Sequence, residues 1–322
     1  MVMARLPARA AWFAFQAQPR LSILIYHRVR PAPDPMRPDD PDVQRFEEQI
    51  AWLRHACHVW PLKEAIRHLY AGTLPRGSVA ITFDDGYADN HDYALPVLLR
   101  QGVPATFFIA TGFLNGGRMF NDTLMEAFAN TEQLAVELPE LGLPHLPLDG
   151  VEARCQASRQ VTKGIKHLPP PERAASVELI LDRLGRPDCG QSPMMTDAQV
   201  KALYEQGMEI GAHTVTHPIL RTLDEASARD ELAQSRDYLQ TLLGAPVGLF
   251  AYPNGKPGQD YGPREPGLLQ ELGFKAAVCT APGGANRGRD PYQLPRYTPH
   301  GRTPMRFMTQ LIRCSREEAE AA

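Results

Sequence analysis

The chain is poor in the features that would place it in several large functional classes. Its five cysteines, at 57, 155, 189, 279 and 314, are odd in number, scattered and never arranged as Cys-x-x-Cys. That pattern fits buried or free thiols rather than a disulfide framework or a structural zinc site. Positive charge is not in excess: 34 lysines and arginines face 37 aspartates and glutamates, a formal charge of −3. Nucleic acid is therefore not an expected partner. No stretch approaches the roughly 20 apolar residues that span a bilayer, and there is no internal repeat or low-complexity tract. Arg5 and Arg9 precede Ala10-Ala11-Trp12-Phe13-Ala14-Phe15. An apolar run of about six residues is at or below the lower limit of a signal-peptide core, and no small-x-small cleavage site follows. These absences lead to the expectation of a cytoplasmic protein.

What is present is an alternation of short apolar segments with amphipathic ones, the pattern of parallel βα units. At 322 residues the chain can bury a large core. Strands are predicted at Ser22–Tyr26, Val79–Phe83, Ala105–Ala110, Met208–Ala212, Val247–Tyr252 and Ala276–Thr280. Asp42 is a candidate cap for a helix with Phe46, Ile50 and Leu53 on one face, and Thr222 with Glu225 forms a possible capping box for a helix ending at Gly244. From about Phe113 to Pro193 the pattern breaks, with helical candidates at Asp122–Asn130 and Glu172–Leu184. This stretch reads as an insertion of residues 113–193, either a peripheral decoration or a cap that shapes substrate access.

The most informative segment is Thr82-Phe83-Asp84-Asp85-Gly86. Side chains alternate along a strand, so neighbouring acids can share a site only where the strand ends and the backbone turns. Alone, such a triplet is more often a solvated turn. A second segment, His213-Thr214-Val215-Thr216-His217, follows the predicted strand Met208–Ala212. Histidines four apart lie on one face of a helical turn and can bind one ion, so an acidic strand end and this pair make a candidate two-His, one-Asp metal site. His27, Asp84, Asp85, His213 and Asn254 each fall at or just past the C-terminal end of a predicted strand, where parallel α/β folds place their active sites.

These segments resemble the first two motifs of the polysaccharide deacetylases, the carbohydrate esterase family 4 or NodB-homology enzymes. Phe250-Ala251-Tyr252-Pro253-Asn254-Gly255 resembles their third motif, and Leu24-Ile25-Tyr26-His27 their fifth, displaced to the N-terminus. That displacement is similar to the circularly permuted order of the poly-N-acetylglucosamine deacetylases. The resemblance runs from Leu21 to Arg296. It implies one catalytic domain with a core from about 21 to 300, folded as a distorted, incomplete (β/α) barrel of about seven units. Periodicity by itself does not separate such a barrel from an open doubly wound sheet.

The implied activity is metal-dependent hydrolysis of N-acetyl groups from amino sugars of a polysaccharide or glycolipid, releasing acetate. Asp85, His213 and His217 would bind a divalent ion, zinc by preference, and Asp84 would be the general base. His27 would be the general acid, and the backbone N–H of Asn254 the oxyanion donor beside the ion. Where many relatives have an arginine that orients the base, this chain has Ala251. Arg296 is a candidate replacement, because its planar guanidinium can hold a carboxylate at two points, and it could equally be a surface arginine. The usual fourth motif, with its Asp and Trp, is not recognisable. His300, His145, His167, Asp122 and the Asp34, Asp39, Asp40 loop lack partners at informative spacing and are read as solvated or structural. Two rival functions remain open: hydrolysis of a small amide or formamide at the same metal centre, and carbohydrate binding without turnover.

Overall fold

The apolar segment Leu21–Tyr26 forms strand β1, with all six residues buried. Burial on both faces is what a parallel sheet covered by helices requires, and it explains why the segment reads as a continuous apolar run rather than an alternating one. The computed structural model describes residues 19–317, so the Ala10–Phe15 run lies outside the described residues. The chain divides into two compact units. Among the described residues, one holds 19–32, 41–115 and 195–317; the other holds 33–40 and 116–194.

In the first unit β1 is followed by β2 (His58–Val59), β3 (Ser78–Phe83) and β4 (Thr106–Ile109). The second unit contributes an antiparallel pair, β5 (Ala135–Leu138) and β6 (Leu143–Pro147). The first unit then resumes with β7 (Glu209–Ala212), β8 (Leu249–Ala251), β9 (Ala276–Val278) and β10 (Arg296–Tyr297). Its sheet is parallel and runs β10-β1-β3-β4-β7-β8-β9, with β2 added beside β3. Leu294, just ahead of β10, makes one parallel bridge to Val278 of β9, so the two ends of this path meet. Seven parallel strands are thus nearly closed into a distorted (β/α) barrel, the expected fold class.

Strand alternation sorts the side chains into two apolar clusters. Leu24, Tyr26, Val79, Ile81, Phe83, Phe107 and Ile109 pack outward against the helices. Ile23, Ala80, Phe108, Leu249, Ala251, Ala276, Val278 and Leu294 belong to the other cluster, on the inner side. Two residues beyond Ala80, Thr82 also faces inward, and so does Asp84. Gly211 sits where β7 passes the inward Phe108, and a Cβ there would overlap the phenyl ring.

The helices start and stop largely as their residues dictate. Asp42 accepts from the N–H of Arg45 at 2.7 Å and opens helix Val43–Ala56, which buries Phe46, Ile50 and Leu53. Helix Glu225–Leu243 ends at left-handed Gly244, but its cap is Asp224, bonded to the N–H of Ser227. Thr222 instead belongs to a preceding single 3-10 turn, Leu220–Thr222, so the expected Thr222 and Glu225 capping box does not form.

The second unit has its own core, in which Leu124, Phe128, Val136, Leu138, Leu146, Val161, Ile165 and Ile180 come together. They are carried by helices Phe120–Asn130, Val151–Ile165 and Pro170–Arg183 and by the β5–β6 pair. Pro144 and Pro147 are tolerated in β6 because a two-stranded ladder consists entirely of edges. Among the described residues no helix is long and apolar enough to cross a membrane.

Candidate metal and base site

His27, Asp84, Asp85, His213 and Asn254 lie at the C-terminal end of the barrel strands, and Arg296, level with Ile23 of β1, reaches Asp84 from further inside. His27 follows β1, Asp84 and Asp85 follow β3, His213 follows β7, Asn254 stands three residues past β8, and Arg296 opens β10. Asp84 keeps the inward direction of Thr82. Asp85 would point away were the strand to continue, but its φ of 77° turns the backbone. Of the six non-glycine residues with positive φ among the described residues, four are Asp85, Thr214, His217 and Asn254. Such backbone costs about 1–3 kcal/mol per residue, and its concentration here marks a segment shaped for something other than stability.

His213 and His217 are not on a helical turn. Residues 213–219 form a loop in which Thr214 and His217 are left-handed, with φ of 64° and 53°. The loop nevertheless brings the rings to 4.8 Å between centroids. Nδ1 of His213 is 2.7 Å from the carbonyl oxygen of Ala251. That oxygen can only accept, so Nδ1 carries the proton, and the neutral ring directs the Nε2 lone pair at Asp85. Oδ1 of Asp85 is 3.3 Å from Nε2 of His213 and 3.4 Å from Nε2 of His217.

All three prospective ligand atoms lie within 4.8 Å of one another. Asp85 Oδ1 is buried and has no hydrogen-bond partner. A carboxylate oxygen and two imidazole nitrogens, each offering a lone pair to one small volume, repel unless a cation lies between them. The residues present therefore fit a divalent ion.

Electrostatics point the same way. Burial opposes ionisation of Asp85, but His213 and His217 outweigh it and hold the carboxyl well below the usual range. Burial pushes His217 down to about 4, which keeps its lone pair free at neutral pH. At His213 burial acts in the same direction, but Asp84 and Asp85 reverse it and raise the imidazole.

Asp84 is held differently. Nη1 of Arg296 donates to its Oδ1 and Nη2 to its Oδ2, both at 2.7 Å. Arg296 is fully buried and also bonds the hydroxyl of Thr82 at 3.0 Å and the carbonyl of Cys279 at 3.2 Å. The guanidinium lies 5.5 Å from the centroid of the inward Phe108 ring. Burial would raise the Asp84 carboxyl, but Arg296, with His213, brings it below its ordinary value. Arg296 is a buried partner of Asp84 and not a surface arginine. Its bonds to both oxygens leave Asp84 ionised and 3.9 Å from His213 Nε2.

His27 is exposed at the rim, its carbonyl accepting from Nδ2 of Asn90 at 2.8 Å. Asn254 is exposed and left-handed, and its carbonyl accepts from the Thr280 hydroxyl at 2.6 Å. Its backbone N–H has no partner among the described residues. His145, His167 and His300 are exposed, whereas Asp122 is buried in the second unit. Sequence reasoning missed Glu231, whose carboxylate bonds the backbone of the histidine loop. No motif surrounds it.

The chain matches the family model described as polysaccharide deacetylase over residues 71–139 and 184–277, about half its length. Among curated proteins, YxkH of Bacillus subtilis (strain 168) is 22% identical over 289 residues, covering 89% of this chain and 74% of YxkH. A poly-beta-1,6-N-acetyl-D-glucosamine N-deacetylase of Staphylococcus epidermidis is 37% identical over 83 residues, covering 26% of this chain and 29% of that protein. Among solved structures, the Streptococcus pyogenes deacetylase PplD, in complex with acetate, superposes with a TM-score of 0.62 at 19% identity, covering 92% of this chain and 99% of PplD. That structural likeness concerns the fold. With the family model matched on both motif-bearing segments, this chain belongs to the polysaccharide deacetylase family.

Proposed function

We propose that this enzyme is a metal-dependent N-deacetylase that removes acetyl groups from the amino sugars of a polysaccharide and releases acetate. The observation that carries the reading is the pairing of two unlike carboxylates: Asp85, its Oδ1 without a hydrogen bond between two imidazoles, and Asp84, free of that cluster and fixed by Arg296. Two nitrogens and one oxygen with open positions are the donor set of catalytic zinc. A divalent ion held by Asp85, His213 and His217 supplies Lewis-acid polarisation of the acetyl carbonyl and acidifies a water.

The remaining work falls to the chain. Asp84, kept ionised by Arg296, accepts the proton of the attacking water. The unpartnered N–H of Asn254 donates to the oxygen that gains charge as the carbonyl is attacked. His27, at the open rim, gives its proton to the departing sugar nitrogen. Carbohydrate binding alone would require neither a buried Arg296–Asp84 pair nor a separate ligand cluster beside it. The name of the Staphylococcus epidermidis relative supports β-1,6-linked N-acetylglucosamine as the first substrate to try.

The test is acetate release from poly-β-1,6-N-acetylglucosamine, chitin oligomers and small N-acetylated or formylated amides, by wild type and Asp84→Asn. Release from a glycan that falls by about 10²-fold or more in Asp84→Asn supports the proposal. Turnover confined to the small amides would reject the polysaccharide substrate, and unchanged release by Asp84→Asn would reject the base.

A further inference from the structure

We propose that Glu231 is a positioning residue for the metal site: its carboxylate, reaching from helix Glu225–Leu243, locks the loop that presents His213 and His217 to one ion. The inference rests on the metal-dependent reading above and extends it to a residue outside every motif of the sequence.

Oε2 of Glu231 accepts from the backbone N–H of Val215 at 2.7 Å and of Thr216 at 2.9 Å, while Oε1 accepts from the Thr216 hydroxyl at 2.6 Å. Successive N–H groups converging on one anion form a nest, and each bond is strengthened by the carboxylate charge. From another side, the N–H of Thr111 donates to the carbonyl of Thr214 at 3.1 Å and that of Gly112 to the carbonyl of Val215 at 2.8 Å. Gly112 must come this close, since a Cβ there would overlap the Val215 carbonyl. Within the loop, the Thr214 hydroxyl donates to the carbonyl of His213 at 2.5 Å and accepts from the N–H of His217 at 3.0 Å.

The loop needs such anchors because its shape is not a low-energy one. Thr214, a β-branched residue, and His217 are both left-handed, a conformation that persists only where surrounding contacts over-determine it. The residues Glu231 grips stand between the two histidines, so relaxation of Val215 and Thr216 moves His217 against His213. Both Glu231 oxygens are committed to the loop, which separates its role from that of a ligand. Sequence spacing does not reveal such a partner, because what Glu231 recognises is chiefly backbone.

The test titrates metal-stripped wild type, Glu231→Gln, Glu231→Ala and Thr216→Val with zinc against a chromophoric chelator. Thermal melts are recorded on the same samples, and kcat and KM at saturating zinc. The expected result is zinc affinity about 10- to 100-fold weaker in Glu231→Ala, intermediate in Glu231→Gln, which keeps shape but not charge, and least altered in Thr216→Val. KM for the glycan should stay within about twofold of wild type, since Glu231 acts through the ligands. If wild type binds no zinc, the metal reading itself falls. If wild type binds zinc and both Glu231 variants match it within about twofold, the inference alone is overturned, whatever their melting temperatures. Should Glu231→Ala fail to fold, Glu231→Gln decides by the same threshold.

Discussion

Arg296 and Asp84 lie 212 positions apart in sequence, yet they meet in a fully buried two-point ion pair, Nη1 on Oδ1 and Nη2 on Oδ2, each at 2.7 Å. The arginine enters the barrel interior from β10, while the third-motif position, Ala251, is a small inward residue on β8. Asp84, the proposed base, is thus held from a different strand than the motif pattern predicts.

Removing the guanidinium should change both stability and pH dependence. Arg296→Met leaves a buried carboxylate without its partner, a loss of about 3–5 kcal/mol by thermal or denaturant unfolding. In wild type the Asp84 carboxyl is lowered despite burial, so its stabilising contribution is present above the unfolded-state pKa and lost as pH falls through the folded one. In the variant, burial dominates and the folded pKa rises. The base is then protonated at pH values where wild type is active, so the acid limb of kcat/KM should move to higher pH.

A relocated arginine tests whether direction of approach matters. Arg296→Ala should be severely impaired, and Ala251→Arg alone should destabilise by burying a second cation. Combined, the two substitutions should recover at least about tenfold in kcat/KM over Arg296→Ala if a guanidinium from β8 can also hold Asp84. Steady-state kinetics on the two single variants and the double variant decide this.

His27 is expected to matter in proportion to how much the leaving group needs a proton. His27→Ala should lower kcat for a glycan amide by about 10²-fold or more. Hydrolysis of an activated aryl acetate, whose leaving group departs as a stable anion, should fall far less. Equal losses on both substrates would remove His27 from the role of acid.

Within the ligand set, Asp85→Asn should weaken zinc binding more than it weakens the fold. Its Oδ1 has no hydrogen bond to lose, but His213 and His217 hold the carboxyl below its usual range, so removing the charge also costs some stability without metal. The expected outcome is a metal-free variant that melts below metal-free wild type, and a larger gap between the two when zinc is present, because zinc stabilisation is reduced. Paired melts with and without zinc measure it.

The parts of the site carried by contiguous residues were legible in the sequence. Asp84 and Asp85 sit at a strand end, and alternation together with the turn explains why both serve one site. The sequence pairs His213 with His217 through a helical turn, whereas the structure brings their rings to 4.8 Å through a loop in which left-handed Thr214 and His217 mimic the reach of such a turn. Arg296 could be named only as a candidate, since nothing local to Leu294-Pro295-Arg296 reports a partner on β3. Similarly, Asp224 replaced Thr222 as helix cap because both offer an oxygen near the same helix start, and tertiary context chose between them. Helix Val151–Ile165 escaped notice: only Cys155, Ala157, Ser158, Val161 and Ile165 are buried on it, too mixed a set for a clear apolar stripe.

The most direct test of the account is acetate release from poly-β-1,6-N-acetylglucosamine oligomers by protein stripped of metal, measured before and after adding one equivalent of zinc, with His217→Ala in parallel. The account predicts no release from stripped wild type, restoration by zinc at about one ion per chain, and little restoration in His217→Ala. Undiminished release from fully stripped wild type, or full restoration of His217→Ala by one equivalent, would contradict it.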